Sequence, residues 1–246
     1  MHIHTIIGPT GIGKSARASA EAHRLGAPII VADRIQCYVD LATTSARDTG
    51  AENADLARHF LEERTVGDGD YAPATAHLAL RRTLRALSSE HRCVIVEGGS
   101  VSLLNVFFAG RDDLPYTMST ELLQVTDQRA HLDRLRHRAH RMLAPPAGRT
   151  GLLQELASAW RHTSQREFIA SVVGFGSTIP WCLHHGIPIE SLHDFIPNAA
   201  QQSELATAIA DEHAAYGRLQ HQAFLTMQPP PRLGAVGGRI ELEERL

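Results

Sequence analysis

Eight consecutive residues near the start of the chain, Gly8-Pro9-Thr10-Gly11-Ile12-Gly13-Lys14-Ser15, fit the pattern G-x-x-x-x-G-K-[ST] without a gap. They follow Ile3 to Ile7, which reads as a short buried strand, and lead into an alanine-rich stretch, Ser15 to Leu25, that Gly26 stops. In that context the pattern predicts a strand, a glycine loop and a helix. Successive backbone N–H groups of such a loop wrap an anion, the helix N-terminus adds partial positive charge, and Lys14 adds a full one. The Ser15 hydroxyl suits a magnesium ion. A phosphate or diphosphate is expected here, although the pattern does not say whose.

The segments that follow extend the same architecture. Pro28 to Ala32 and Cys93 to Val96 read as further buried strands, and Glu121 to Val125 as another. Pro73 to Ser88 reads as a helix with Leu78, Leu80, Leu84 and Leu87 as its apolar positions, and Val101 to Phe108 as a second. The polar stretch from Arg34 to about Gly50 gives no clear signal. Strands alternating with helices predict a parallel sheet covered by helices, whose ligands bind at the carboxyl ends of the strands. From Asp127 the pattern is helical only: Asp127 to Leu143, Leu152 to Trp160, Arg166 to Val172, Thr178 to His184 and Ala199 to Phe224. The expected organisation is an α/β core over 1–126, a helical domain over 127–227 whose last helix can pack back on the core, and a loosely ordered tail over 228–246 with a short helix at Arg239 to Leu246.

Two more turns at the predicted strand ends carry chemistry. Asp33 follows the second strand directly, where a carboxylate suits either the proton of a substrate hydroxyl or a hydrogen bond from an amino group. Glu97-Gly98-Gly99-Ser100 ends the third, offering a carboxylate for a metal-bound water and glycines that admit a ligand to the backbone. On the basic helix near Arg134, the side chains of Arg134, Arg138 and Arg141 share a face, which fits either solvent or a phosphate.

Composition narrows the ligand. Lys+Arg is 24 against 27 Asp+Glu, a net charge of −3. A protein gripping a long nucleic acid usually carries a basic excess, so a small-molecule ligand is expected and no nucleic acid. Cys37, Cys93 and Cys182 are widely spaced and odd in number, which reads as free thiols in a reducing cytoplasm. Met1-His2-Ile3-His4 lacks the basic start of a signal peptide, and no apolar stretch approaches membrane-spanning length. A cytoplasmic protein without a membrane partner is expected, with monomer as the default state.

Taken together, these stretches resemble the bacterial adenylate isopentenyltransferases of cytokinin biosynthesis, relatives of the tRNA isopentenyltransferases. The resemblance runs from Ile6 to about Phe224. It rests on Gly8-Pro9-Thr10 with Gly13-Lys14-Ser15, on Asp33-Arg34-Ile35-Gln36-Cys37, on Ala42-Thr43-Thr44-Ser45-Ala46-Arg47, on Glu97-Gly98-Gly99-Ser100-Val101-Ser102-Leu103-Leu104-Asn105, and on Leu152-Leu153-Gln154-Glu155-Leu156 with Trp160. It implies a P-loop NTPase-like α/β sheet flanked by helices with a smaller C-terminal helical domain. It also implies transfer of a dimethylallyl group from its diphosphate to the N6 amino group of AMP, or of ADP or ATP, with Mg2+. By this resemblance Lys14, Ser15 and magnesium neutralise the departing diphosphate, Thr10 contacts its bridging oxygen, Arg138 clamps it, and Gly8, Pro9, Gly11 and Gly13 form its cradle. Asp33, with Arg34 beside it, holds the adenine amino group and takes its proton. Thr43, Ser45 and Arg47 match the loop that contacts the nucleotide, with Gly98, Gly99, Ser100 and Ser102 beside it.

The chain departs from that family's pattern at two places. Val173-Gly174-Phe175-Gly176 stands where Asp-Gly-Tyr-Arg is usual, and His213 and Tyr216 replace a Tyr and a His on the long helix. Losing the acidic residue and the histidine that meet a hydroxylated donor implies an apolar donor pocket, hence dimethylallyl diphosphate or a longer prenyl chain. Three other readings share parts of the sequence: a P-loop small-molecule or nucleotide kinase, a tRNA-modifying prenyltransferase, and a binding protein without catalysis.

Overall fold

The computed structural model describes residues 1–47 and 56–227. The expected tail over 228–246, including the helix at Arg239 to Leu246, and the end of the polar stretch lie outside the described residues. Among the described residues five parallel strands form one sheet: β1 (His2–Ile7), β2 (Ile29–Val31), β3 (Arg58–Phe60), β4 (Cys93–Gly98) and β5 (Thr117–Leu122), in the order β3-β2-β4-β1-β5. The helices are α1 (Lys14–Leu25), α2 (Ala42–Ser45), α3 (Pro73–Leu87), α4 (Val101–Ala109), α5 (Gln128–Leu143), α6 (Leu152–Trp160), α7 (Arg166–Ala170), α8 (Phe175–His184) and α9 (Ala199–Met227).

β2 and β4, at the centre of the sheet, are buried on both faces, which is why they read as apolar runs. The two edge strands do not. β3 is three half-buried residues and left no signal in the sequence. β5 begins four residues earlier than expected and ends at Leu122, because its in-register pairing with β1 runs from His2 opposite Thr117 to Ile7 opposite Leu122. Its outer positions are polar: His2 and His4 bond Thr117 and Ser119 at 2.8–2.9 Å, so the strand carries hydroxyls where an apolar run was sought. On α3, Leu80 and Leu84 are wholly buried but Leu78 is 61% exposed. Two residues from Leu80, it lies about 200° around the helix, on the solvent face.

A single apolar cluster runs from the sheet face (Ile3, Ile30, Val94, Val96) through α3 and α4 into the helical half (Met142, Leu156, Phe175, Leu205, Phe224). A smaller one holds α1 on the opposite face of the sheet through Ala18, Ala22, Ile29 and Ile95. α9 spans the molecule, packing on α5, α8 and α4. Its last turns reach the carboxyl edge of the sheet, where β1, β2 and β4 end together.

Candidate active site

Each of those three strands delivers one loaded turn. β1 runs into the glycine loop, in which Gly8, Gly11 and Gly13 all have positive φ. A side chain at Gly11 would need a backbone conformation that L residues rarely adopt and would also meet Leu135 on α5, which covers the loop. Lys14 begins α1 and folds back, its Nζ donating to the carbonyls of Gly8 and Pro9 at 2.9 Å. Burial lowers its pKa to about 8, against the opposing pull of Glu97 and Asp33.

β2 ends beside β4 with the Ala32 amide donating to Glu97 O at 2.7 Å. The backbones lie so close that any side chain at Gly98 would collide with the Ala32 carbonyl. Asp33 comes next, its Oδ1 accepting from the Ile35 amide at 3.0 Å. Burial raises its pKa, with the Ile35 hydrogen bond and Lys14 opposing. Gly99 marks where the turns meet. A carbon added there would sit 3.5 Å from Lys14 Nζ and 3.6 Å from Asp33 Oδ2. The backbone is bare at a point that both a cation and a carboxylate approach.

Glu97 stands behind them, 1% exposed. Its Oε1 accepts from the Ser15 hydroxyl and from Arg58 Nη1, both at 3.0 Å. Arg58, from the unforeseen edge strand β3, also donates to Ser15 O at 3.2 Å and Ser19 Oγ at 2.8 Å. The oxygens at Ser15, Glu97 and Asp33 are hard donors of the kind magnesium takes. Among the described residues no group of three or more His, Cys, Asp or Glu could hold a metal ion.

The helical half closes the site from above. Arg138 on α5 turns inward: Nη2 donates to Thr44 O at 3.3 Å, and Nε is buried with no hydrogen-bond partner. Burial works against its charge, while Asp33 favours it. Arg134 and Arg141 on the same helix stay exposed. His213 on α9 is buried, bonds Ile209 O through Nδ1 at 2.8 Å, and is neutral, its pKa lowered to about 4 by burial and by Arg138. Tyr216, one turn on, is half-buried, and burial and Asp33 raise its pKa to about 12. Val173 and Phe175 flank Gly174 at the start of α8, with Val173 half-buried and Phe175 wholly inside the core.

The other expected ligand residues sit around this centre with partners of their own. Arg34 Nη1 donates to Asp70 Oδ1 at 3.0 Å and to Tyr71 O. Thr43 donates its hydroxyl to Thr150 O at 2.6 Å and its amide to Glu155 at 2.8 Å. Arg47 donates to Gln36 O, pairs with Glu63 at 3.1 Å and stacks 3.7 Å over the Phe60 ring. Ser45 Oγ is buried without a partner. Ser100 occupies the N-cap position of α4 without a side-chain cap bond, and Ser102 is half-buried on the first turn. Four residues that hold this arrangement were not singled out from the sequence: Arg58, Gln220, Glu212 and, although it lies in a quoted stretch, Glu155. Glu155 accepts from Thr43 N, Thr44 N and Thr44 Oγ1, and Glu212 accepts from Gly174 N and Ser177 N. Each acts on a partner far away in sequence, so no local pattern marks it.

A glycine loop under a cationic helix, opposite a half-buried carboxylate just past the end of β2, defines a P-loop-type α/β protein. Over residues 1–232 the chain matches the isopentenyl transferase profile, and it belongs to that family of prenyltransferases. It is 36% identical to the adenylate dimethylallyltransferase of Rhodococcoides fascians over 91% of this chain and 88% of that one. It is 32% identical to the Ralstonia nicotianae enzyme of the same name, over 92% and 94%. Among solved structures it is similar to a full-length tRNA isopentenylpyrophosphate transferase from Bacillus halodurans, with TM-score 0.69, 14% identity, and coverage of 91% of this chain and 86% of that one. At that identity the likeness establishes the fold alone.

Proposed function

We propose that the protein transfers a dimethylallyl group from dimethylallyl diphosphate to the N6 amino group of AMP. The observation that carries this reading is the bare backbone at Gly99, with Lys14 Nζ and Asp33 Oδ2 both within 3.6 Å of where a side chain would begin. The names of the relatives, adenylate dimethylallyltransferases at 32–36% identity, point the same way.

The glycine loop and Lys14 hold the donor's diphosphate, and Arg138, with its Nε still unpaired, closes over it. The N6 lone pair attacks the allylic C1 as the C1–O bond breaks, and the diphosphate leaves with the bonding electrons. Asp33 accepts the proton that N6 loses. Carbon becomes cationic and charge gathers on the departing oxygens, so the fixed cations act where charge develops. Ser15 and Glu97 fit a magnesium ion, which supplies further charge neutralisation when bound. Ser45, with its unpaired buried hydroxyl, and α2 contribute to the nucleotide side. Val173 gives the donor's hydrocarbon end an apolar neighbour, consistent with an unhydroxylated prenyl group.

Incubating the protein with AMP, dimethylallyl diphosphate and magnesium and analysing the nucleotide by mass spectrometry tests the reading. AMP gaining one dimethylallyl group at N6 is expected. Unmodified AMP with ATP consumed in a parallel reaction points instead to a kinase. Prenyl transfer only to tRNA identifies a different acceptor.

A further inference from the structure

Gln220 joins the two halves of the site. It lies on α9, 210 residues from Thr10, and is 3% exposed. Thr10 N donates to its Oε1 at 2.7 Å, and its Nε2 donates to Gly99 O at 2.7 Å. An amide N–H can only donate and a carbonyl can only accept, so the two partners fix which end of the side chain is which. One turn earlier, α9 lies against the loop at Gly217, where an added carbon would be in van der Waals contact with Pro9 Cβ at 3.4 Å. At the other end, a carbon on Gly99 would meet Gln220 Nε2 at 2.9 Å.

We propose that Gln220 is a positioning residue that sets the distance between the phosphate loop and the turn beside Asp33. The inference rests on the functional reading above, in which the loop holds the leaving group and Asp33 the attacking amine. The loop that holds one reactant leaves β1 after Ile7 and the turn that holds the other leaves β2 after Val31, so both lie beyond the last paired residues of those strands. Gln220 ties Thr10 on one side to Gly99 on the other through a single rigid amide. Because it satisfies the Thr10 amide, that N–H is withdrawn from anion binding, which leaves the later amides of the loop for the diphosphate. A misplacement of about 1 Å between reacting groups lowers turnover by about 10²-fold.

Two variants of the full chain test this. Gln220→Met keeps the length and loses both hydrogen bonds. It should lower kcat by about 10²-fold, with KM for AMP and for dimethylallyl diphosphate each within about threefold of wild type. In Gln220→Glu the ionised side chain still accepts from Thr10 but repels Gly99 O, whereas the protonated side chain can donate again. Its kcat relative to wild type at the same pH should therefore rise as pH falls. A kcat within twofold of wild type in both variants, or a ratio that does not move with pH, overturns the inference. Hydrogen exchange at the Thr10 amide reads the link whatever reaction the protein runs: slow in wild type, fast in Gln220→Met. If the wild type does not prenylate AMP, the functional reading fails, and the exchange rates alone decide whether the link exists; equal rates overturn it.

Discussion

Lys14 is poised between two sets of partners. Its ammonium donates to the carbonyls of Gly8 and Pro9, and burial brings its pKa down to about 8. An anion in the loop favours the charged form, so binding raises that pKa and takes up a proton above pH 8. Affinity for inorganic diphosphate should therefore fall as pH rises through and beyond about 8. Calorimetry across that range in buffers of different ionisation enthalpy would show the uptake. Lys14→Arg should abolish the bend beyond the ligand's own titration, since arginine keeps its charge. Asp33 presents the reverse case. Its folded pKa is raised, so the fold favours the neutral acid, and at neutral pH the ionised side chain weakens stability relative to the protonated one; this cost is lifted as pH falls through the raised value. Asp33→Asn keeps the oxygen that accepts from Ile35 and removes a charge that desolvation disfavours, so its Tm should rise even as activity is lost.

At the scale of elements, α2 is fixed by a single carboxylate. Glu155 on α6 accepts three hydrogen bonds from Thr43 and Thr44, and Arg138 holds the same turn from α5. Glu155→Ala strands two amides and a hydroxyl in a buried setting and should destabilise the fold by about 3 kcal/mol in denaturant titration, with a raised KM for AMP. The pair of Arg58 and Glu97 is a second such fixture, with both side chains nearly sealed from water. Arg58→Met takes away the buried cation that pairs with Glu97, leaving the carboxylate the Ser15 hydroxyl and the field of Lys14, and should cost about 3 kcal/mol. Adding Glu97→Gln should recover much of that stability, a coupling that a double-mutant cycle reads directly. These fixtures show what was legible in the sequence. Gly8 to Ser15, Asp33 and Glu97 could be read because each follows its strand without a gap, so the local pattern carries the placement. Arg58, Glu155 and Gln220 could not, because their meaning lies in a partner 39, 111 or 210 residues away. β5 was misplaced for a related reason: its register is set by hydroxyl–imidazole contacts with β1, which a search for apolar runs does not see.

Across the whole molecule, α9 is the element that makes a site out of a sheet edge. It carries His213, Tyr216 and Gln220 to the strand ends and buries Phe224 in the same apolar cluster that backs β1 and β4. Phe224→Ala should therefore cost about 3–5 kcal/mol and loosen the phosphate loop together with the core. Near- and far-ultraviolet dichroism should report one coincident unfolding transition for wild type, since the sheet and the helices share that cluster. Among the described residues no helix is long and apolar enough to cross a membrane. The central claim is that the loop holds a departing diphosphate while Asp33 serves the amine that attacks. The measurement that bears on it most directly compares wild type and Asp33→Asn for N6-prenylation of AMP and for binding of dimethylallyl diphosphate with magnesium. The predicted result is donor binding within about threefold of wild type and turnover lower by about 10²–10⁴-fold. Turnover that survives the substitution, or donor binding that disappears with it, would contradict the account.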